Sequence, residues 1–414
     1  MYNVQTKTID NIPTVFIHTE KFKTINLKIQ FRSGLERERV SKRYLLSRMM
    51  VKKAGSFETE SELLKYLAHH YGAHLTSAVT KKGRDHAMSF NLEFINSKFV
   101  KEDLNLLKKM SEVLKDVLKT PFEYDAEDTQ FFEREKRLYI NRLKGLKDNK
   151  AQKSFENLLN VMFKDEPYKY LSHGVLEDIE NITLEDIKDE HEEMMKNDEA
   201  VILIAGHLDE VTDDSLKGLI TRDETIRLPY EGYSFKEVTE KEQTDKENVE
   251  QAKLNMGFRA DANSAEEKMA LNVANQMFGG SATSYLFKNI REKESLAYQI
   301  HSQTDIKNGF LFVLAGVSPD QVEKAKSAVL HELQRIKDGD FTEEFLSETK
   351  HLMRVNRNEI VDKPKGLIAL VYNQYLNDST DDDWEQSLSK VDHELIVKVA
   401  NQIYLDTVYT LTGK

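Results

Sequence analysis

Histidines followed directly by glutamate are the residues of this sequence that come nearest to a helical zinc motif. Two of these pairs are at 331–332 and 393–394. Two histidines four residues apart share one face of a helix and can bind the same metal ion. Here the fourth residue after the histidine is Arg335 in the first case and Val397 in the second. Neither pair therefore predicts a zinc site.

A second candidate, His70 and His74, has the right spacing but the wrong surroundings. Gly72 interrupts the helix between them, and no glutamate stands beside His74. Metal-binding histidines are usually oriented by a nearby carboxylate or carbonyl group. We therefore interpret these residues, together with His69, as the end of a helix and the start of a strand.

The composition limits other kinds of chemistry. The sequence has no cysteine, which excludes disulfides, thiolate nucleophiles and cysteine-based metal sites. No G-x-S-x-G motif marks a serine nucleophile. The acidic run at 381–383 is typical of a helix N-terminus, where the helix dipole favours negative charge. The residues alone thus predict no metal bound by this chain.

Length and charge define the class of protein. The chain has 414 residues and a net charge of -12, and this acidic balance argues against binding to nucleic acid. No apolar run approaches the ~20 residues that a membrane helix needs. The first residues lack the basic and apolar regions of a secretory signal. We expect a soluble, cytoplasmic protein.

The elements that would position any site occur twice in the same order. The strand-like NLKIQFR at 26–32 is matched by KLNMGFR at 253–259. Each is followed by a helical segment, a glycine break (54–56 and 279–281), a second helix and two further strands. A helix leading into a final strand then closes each half. Such self-similarity indicates duplication.

This order predicts an α+β fold with two homologous domains. Each domain is expected to be a mostly antiparallel sheet with helices packed on one face. We predict an N-terminal domain over 1–220, a linker over 221–250 and a C-terminal domain over 251–414. The linker prediction rests on the charged composition of that segment and on its Pro229 and Gly232.

The segment FGGSATSYLFKNIREKESLAYQIHS, at 278–302, is the most specific part of the repeat. With the duplicated order of elements, it resembles the pitrilysin/insulinase-type metallopeptidases, or inverzincins. The resemblance covers nearly the whole chain. It is closest to the small bacterial branch similar to mitochondrial processing peptidase. The resemblance implies two domains arranged as a clamshell around a chamber, with zinc-dependent peptide hydrolysis in the active members.

The zinc motif of that family is missing here. Active members carry H-x-x-E-H on the first helix, with two histidine ligands and a glutamate that holds the attacking water. The corresponding positions are Tyr44, Ser47 and Arg48. The downstream glutamate ligand falls near 132–136, with Arg142 close to the ligand position. Arginine cannot ligate a cation, so the resemblance implies no zinc in this chain.

The second half keeps another part of the family pattern. Arg291 and Tyr298 match an arginine and a tyrosine that face the zinc across the chamber. The resemblance implies that the arginine orients the substrate and that the tyrosine donates to the oxyanion. Without it, an arginine at a helix end and a tyrosine in a strand are usually structural. Gly279 and Gly280 either approach a bound peptide or only form a tight turn.

The resemblance therefore implies a heterodimer. A homologous partner with H-x-x-E-H would supply the zinc, and this chain would supply Arg291, Tyr298 and half the chamber for a peptide substrate. A non-catalytic scaffold or peptide-binding protein is the alternative, and a stand-alone peptidase with another site is the least favoured hypothesis. The sequence leaves open a homodimer when the chain is alone.

Overall fold

The computed structural model describes residues 2–100, 105–119, 125–209 and 211–413. Its strands are β1 (Asn3–Ile9), β2 (Ile12–His18), β3 (Thr24–Gly34), β4 (His74–Lys82), β5 (Asp85–Ile95), β6 (Glu199–Gly206), β7 (Lys241–Lys246), β8 (Ala252–Ala260), β9 (Ala297–Asp305), β10 (Phe310–Val317) and β11 (Ile403–Thr412). Every strand expected from the repeat overlaps one of these, so the α+β class is confirmed.

The helices follow the expected alternation with the strands. They are α1 (Arg37–Met50), α2 (Glu60–His69), α3 (Leu106–Lys119), α4 (Ala126–Asp148), α5 (Lys150–Met162), α6 (Leu176–Ile179), α7 (Leu184–Asn197), α8 (Ala265–Asn275), α9 (Val322–Lys337), α10 (Glu343–Val361), α11 (Pro364–Asn377), α12 (Asp381–Lys390) and α13 (His393–Asn401). Several begin at a capping box, as at Thr380 and Asp383 before the acidic first turn of α12. None of these helices in the described part of the chain is both long and apolar enough to cross a bilayer.

The chain forms two compact units. The first contains Met1–Lys144, Tyr170–Tyr230 and Glu359–Asn377, and the second contains Gly145–Lys169, Glu231–Asn358 and Asp378–Lys414. These units differ from the continuous domains predicted as 1–220 and 251–414. Each unit includes one segment from the other half of the sequence.

The first unit is built on a six-stranded sheet in the order β1-β2-β6-β3-β5-β4. Only β2 and β6 run parallel, and the other neighbours are antiparallel. The central strand β6 is buried along its whole length, which requires cover on both faces. Its Val201, Leu203 and Ala205 pack against α11. The prediction of helices on one face was therefore incomplete, because α11 covers the second face.

The second unit has a five-stranded sheet in the order β7-β11-β8-β10-β9. Alternate residues of β8 face a core shared with α8, α9 and α13. The opposite face of β8 packs against α5, where Asn255 donates to Ser154. The predicted linker 221–250 also contributes to this sheet, because β7 pairs in parallel with β11.

The repeated Phe-Arg pair supports duplication in three dimensions. Arg32 of β3 donates through Nε to Glu199 of β6 at 2.6 Å. Arg259 of β8 donates through Nε to Asp406 of β11 at 2.7 Å and through another nitrogen to Glu166. Both guanidinium groups are buried and need such partners, because an unpaired buried charge is strongly destabilising. In each sheet, the arginine of the repeated Phe-Arg pair is thus buried in an ion pair with a carboxylate of the neighbouring strand.

Candidate functional site

The helix α1 positions the three residues that stand where zinc ligands and the general base are expected. Tyr44 is buried, and its ring stacks on Tyr139 of α4 with centroids 4.5 Å apart and an angle of 24° between the rings. The guanidinium carbon of Arg48 lies 5.8 Å from the centre of the Tyr44 ring. The Ser47 hydroxyl donates to the Tyr44 carbonyl at 2.8 Å. Together they form an aromatic and hydrogen-bonded packing cluster.

These residues do not fit a zinc ion. A catalytic zinc needs three protein ligands with free lone pairs and one position for water. Arg48 offers only donors, and its positive charge opposes a cation. Ser47 is engaged with its own helix, and the Tyr44 ring is covered by Tyr139. This chain therefore has no zinc-binding chemistry on α1.

The residue of α4 that contacts the degenerate motif is Tyr139, which sequence reasoning missed. Its hydroxyl is buried without a hydrogen-bond partner among the described residues, and burial raises the pKa of Tyr139. In the expected ligand region, Glu135 instead forms an ion pair with Lys52 at 2.8 Å. A stacked tyrosine of α4 thus covers the Tyr44 ring in the degenerate motif.

Beside this cluster lies a buried charge network centred on Arg43, which the sequence did not single out. Arg43 donates through Nε to His86 Nδ1 at 3.0 Å. Another of its nitrogens pairs with Glu190 at 3.2 Å and with Asp198. Arg39 pairs with the same two carboxylates at 2.7 and 3.1 Å. The network joins α1 to α7, to the residue that follows α7, and to β5.

His86 is held neutral inside this network. Its Nδ1 accepts from Arg43, so its Nε2 carries the proton and donates to the Ser172 carbonyl at 2.9 Å. Burial and the neighbouring positive charge of Arg43 lower the pKa of His86 to about 3. Protonation would remove the acceptor and place two cations in contact.

This makes the stability of the protein depend on pH. Unfolded histidine binds a proton below about pH 6.5 whereas folded His86 does not, so the free energy of unfolding falls as the pH falls below about 6.5. We expect a loss of about 2 kcal/mol between pH 7.5 and pH 5, from this group alone. Urea unfolding of the wild type and His86→Gln checks it, because glutamine keeps both hydrogen-bonding roles without titrating. Parallel pH curves for the two proteins would contradict the prediction.

In the second unit, three of the predicted site residues, Gly279, Gly280 and Arg291, lie on unusual backbone. Gln276–Gly280 and Leu286–Lys293 are both π-helical, a rare form that is frequent at functional sites. Ser295 follows with a φ of 53°, a left-handed conformation that is uncommon for serine. This turn leads directly into β9, and β9 packs against the second π-helical segment. The Arg291 segment and the start of the Tyr298 strand are thereby fixed side by side.

Arg291 and Tyr298 are both exposed at the surface of the second unit. Tyr298 is 65% exposed, and its hydroxyl is 3.5 Å from the Ser318 hydroxyl. Arg291 is exposed, and its guanidinium carbon lies 4.6 Å from the centre of the Phe287 ring. Within the described residues Arg291 forms no ion pair. The usual structural role of a strand tyrosine, a buried ring with a bonded tip, is therefore not the one observed.

The two glycines before this segment differ in environment. Gly279 is buried, and a Cβ there would lie 2.6 Å from Leu286 Cδ1 and from Ser302 Oγ. Packing within the unit thus explains its lack of a side chain. Gly280 is exposed, although a Cβ on it would also crowd Asn275. Of the pair, only Gly280 is exposed.

Comparison with known proteins relates this arrangement to peptidases. Residues 181–353 match the family model described as "Peptidase M16 inactive domain". The chain is 32% identical over 403 residues to "Probable inactive metalloprotease YmfF" of Bacillus subtilis, covering 96% of this chain and 95% of that protein. It is 24% identical over 265 residues to "Zinc protease PqqE" of Helicobacter pylori, covering 61% of this chain and 59% of that protein.

A solved structure extends the similarity to the whole fold. A conserved protein from Enterococcus faecalis V583 matches with a TM-score of 0.89 and 25% identity, covering 100% of this chain and 99% of that chain. Both halves of the sequence, including the segments exchanged between the two units, thus have counterparts in one known structure.

Proposed function

Because the chain belongs to the M16 peptidases, the pitrilysin/insulinase-type family, we propose that it is the zinc-free subunit of a heterodimeric zinc peptidase. Its own α1 lacks the zinc ligands, as Tyr44, Ser47 and Arg48 occupy their positions. A homologous partner with H-x-x-E-H would supply the zinc, the attacking water and the general base. This chain would supply Arg291, Tyr298 and half of the chamber.

The observation that carries the proposal is the exposure of both Tyr298 and Arg291, on two segments that pack against each other. A tyrosine that served only the core would be expected to bury its ring. Tyr298 instead leaves its hydroxyl available on a strand whose start is fixed by the π-helical segment and the Ser295 turn. Such fixed donors are what an enzyme needs where negative charge develops on a substrate carbonyl.

The chemical roles follow from the two side chains. The Tyr298 hydroxyl would donate one hydrogen bond to the oxyanion of the attacked peptide bond. The Arg291 guanidinium, held over Phe287, would bind carbonyl oxygens and orient the peptide. Neither residue needs to change its protonation state for these roles.

Edge strands give the chain a way to hold an extended peptide. In the described residues, β4 and β9 each pair with another strand on one side only. The free side of such a strand offers backbone donors and acceptors that an added peptide strand can satisfy. Tyr298 lies on β9 itself. Gly280, in the preceding π-helical segment, adds exposed backbone without a side chain.

A non-catalytic peptide-binding or scaffold role is the second candidate. The filled motif on α1 favours it, because Tyr44 and Tyr139 form a close stack where an active chain needs an open site. A pure scaffold, however, has no need for an exposed Tyr298 on a strand that packs against a rare π-helical segment. A cytoplasmic location stays part of the proposal, since a chain without cysteine is compatible with a reducing compartment.

The test is reconstitution with a homologous chain that carries H-x-x-E-H. We expect cleavage of a quenched-fluorescent peptide library only by the mixture, and a mixed pair on size-exclusion chromatography. Each chain alone is the control, which also shows whether this chain forms a homodimer. Peptidase activity of this chain alone would refute the proposal. A mixed pair without cleavage would leave the scaffold role.

A further inference from the structure

Two histidines and an aspartate meet at one edge of the first sheet, far apart in the sequence. His18 is the last residue of β2, and it pairs with Gly206, the last residue of the parallel strand β6. His207 and Asp209 follow immediately. Because the ends of neighbouring parallel strands lie at the same sheet edge, the chain after β6 is brought beside His18.

Asp209 lies beside both histidines, and His18 Nδ1 also accepts from the Leu208 backbone N–H at 3.2 Å, which orients the His18 ring. Asp209 Oδ1 lies 3.6 Å from His18 Nδ1, and Asp209 Oδ2 lies 3.1 Å from His207 Nε2. One ligand atom from each residue falls within 4.8 Å of the others. The His207 carbonyl accepts from the Asn96 side chain at 2.8 Å, which fixes the backbone at this point.

This set of atoms matches the ligands of a first-row divalent metal. Two imidazole nitrogens and one carboxylate oxygen form a three-ligand set that zinc accepts, with the remaining position left for water. We propose that His18, His207 and Asp209 bind one divalent transition-metal ion, Zn²⁺ in the first instance, at the ends of β2 and β6. The site is separate from α1 and contains none of the residues assigned to peptide hydrolysis.

The side chain of Lys98 already places a positive charge beside the proposed metal ligands. The Lys98 ammonium lies 3.3 Å from His207 Nε2, the same nitrogen that faces Asp209. Lys98 is exposed, so its long side chain can move away into solvent when a metal ion binds. Until it moves, its positive charge competes with the metal. Removing that charge should therefore strengthen metal binding.

The other histidines grouped in this unit lack the same features. His70 Nδ1 lies 2.8 Å from the Tyr66 carbonyl, and its ring packs against the Tyr66 ring and His69. No carboxylate joins this group within the described residues. His69 is exposed and provides a matched control, a histidine of the same unit outside the proposed site.

The full chain, stripped of metal with EDTA and dialysed, should bind one equivalent of ZnCl₂ in isothermal titration calorimetry. Co²⁺ should give the visible absorption of a low-coordinate site. Zn²⁺ should also raise the Tm, because the ion ties the end of β2 to the chain after β6. The experiment uses this chain alone and no peptidase assay, so its failure leaves the proposed function untouched.

The variants locate the ion. Asp209→Asn changes an exposed side chain and His207→Gln removes a ligand, and each should weaken binding at least about tenfold. Lys98→Met should tighten binding several-fold, whereas His69→Gln should bind as the wild type does. Absence of binding by the wild type, or wild-type affinity in both Asp209→Asn and His207→Gln, would overturn the proposal. An unchanged affinity in Lys98→Met would overturn the competition by its ammonium.

Discussion

The reconstituted pair should lose about 10²- to 10³-fold in kcat when Tyr298 of this chain is changed to phenylalanine. The change removes only a hydroxyl, and the ring that meets the strand surface stays in place. Because the hydroxyl would act on the oxyanion, its loss should leave KM nearly unchanged. Arg291→Ala should lower kcat and also raise KM, since this residue would bind the substrate before reaction.

Two exposed residues of the same unit serve as controls. Tyr404→Phe removes a hydroxyl from a tyrosine that is 44% exposed on β11, and Lys293→Ala removes a cation two positions after Arg291. Both control variants should keep wild-type activity. All four variants should still associate with the partner on size-exclusion chromatography. Full activity in both Tyr298→Phe and Arg291→Ala would contradict the catalytic role and favour the scaffold.

The largest expected effect on stability comes from Arg43. Its guanidinium is fully buried between Glu190, Asp198 and His86. Breaking a buried ion pair by removing one partner typically lowers the free energy of unfolding by about 3–5 kcal/mol, because the other charge stays buried without compensation. We expect about 3 kcal/mol for Arg43→Met, the lower end of that range. The reason is that Arg39 still pairs with both carboxylates.

A matched control lies on the same helix. Arg37 is exposed at 49% of its side chain and pairs with Asp178 at 2.9 Å. Surface pairs of this kind contribute less than about 1 kcal/mol, so Arg37→Met should hardly change stability. Urea and thermal unfolding of both variants at pH 7.5 measure the difference. Equal stabilities of Arg43→Met and Arg37→Met would show that the buried network is not the main support of α1.

Local sequence patterns predicted the positions of the strands well. They predicted poorly which helices pack on the two faces of each sheet. The alternation in 26–32 and 253–259 fixed the positions of β3 and β8, because side chains of a strand alternate between its faces. The same alternation does not tell which helix fills the second face. For that reason the predicted domains place α5 in the N-terminal half and α11 in the C-terminal half. In the structure α5 belongs to the second unit and α11 to the first.

The strand β7 was missed for a similar reason. Its residues are charged and mostly exposed, so the segment has the composition of a linker. Its place in the sheet depends on backbone pairing with β11 at an edge, and such pairing places little demand on side chains.

The sequence by itself determined that this chain cannot hold the zinc of its family. That conclusion depends only on which atoms Tyr44, Ser47 and Arg48 carry, and ligand chemistry is a property of residue type. The sequence also revealed the duplication and identified Arg291 and Tyr298 as candidate site residues. Both inferences depend only on the order of the elements and the spacing of residues along the chain.

Tertiary structure alone decided what surrounds those residues. It placed Tyr139 against Tyr44, left Tyr298 exposed, and buried Arg43 among carboxylates from α7 and from the residue that follows it. It also brought His18 beside His207, since only the parallel pairing of β2 and β6 joins their ends. Contacts between distant segments and the burial of a side chain depend on how the elements pack together, and a local pattern of residues does not specify that packing.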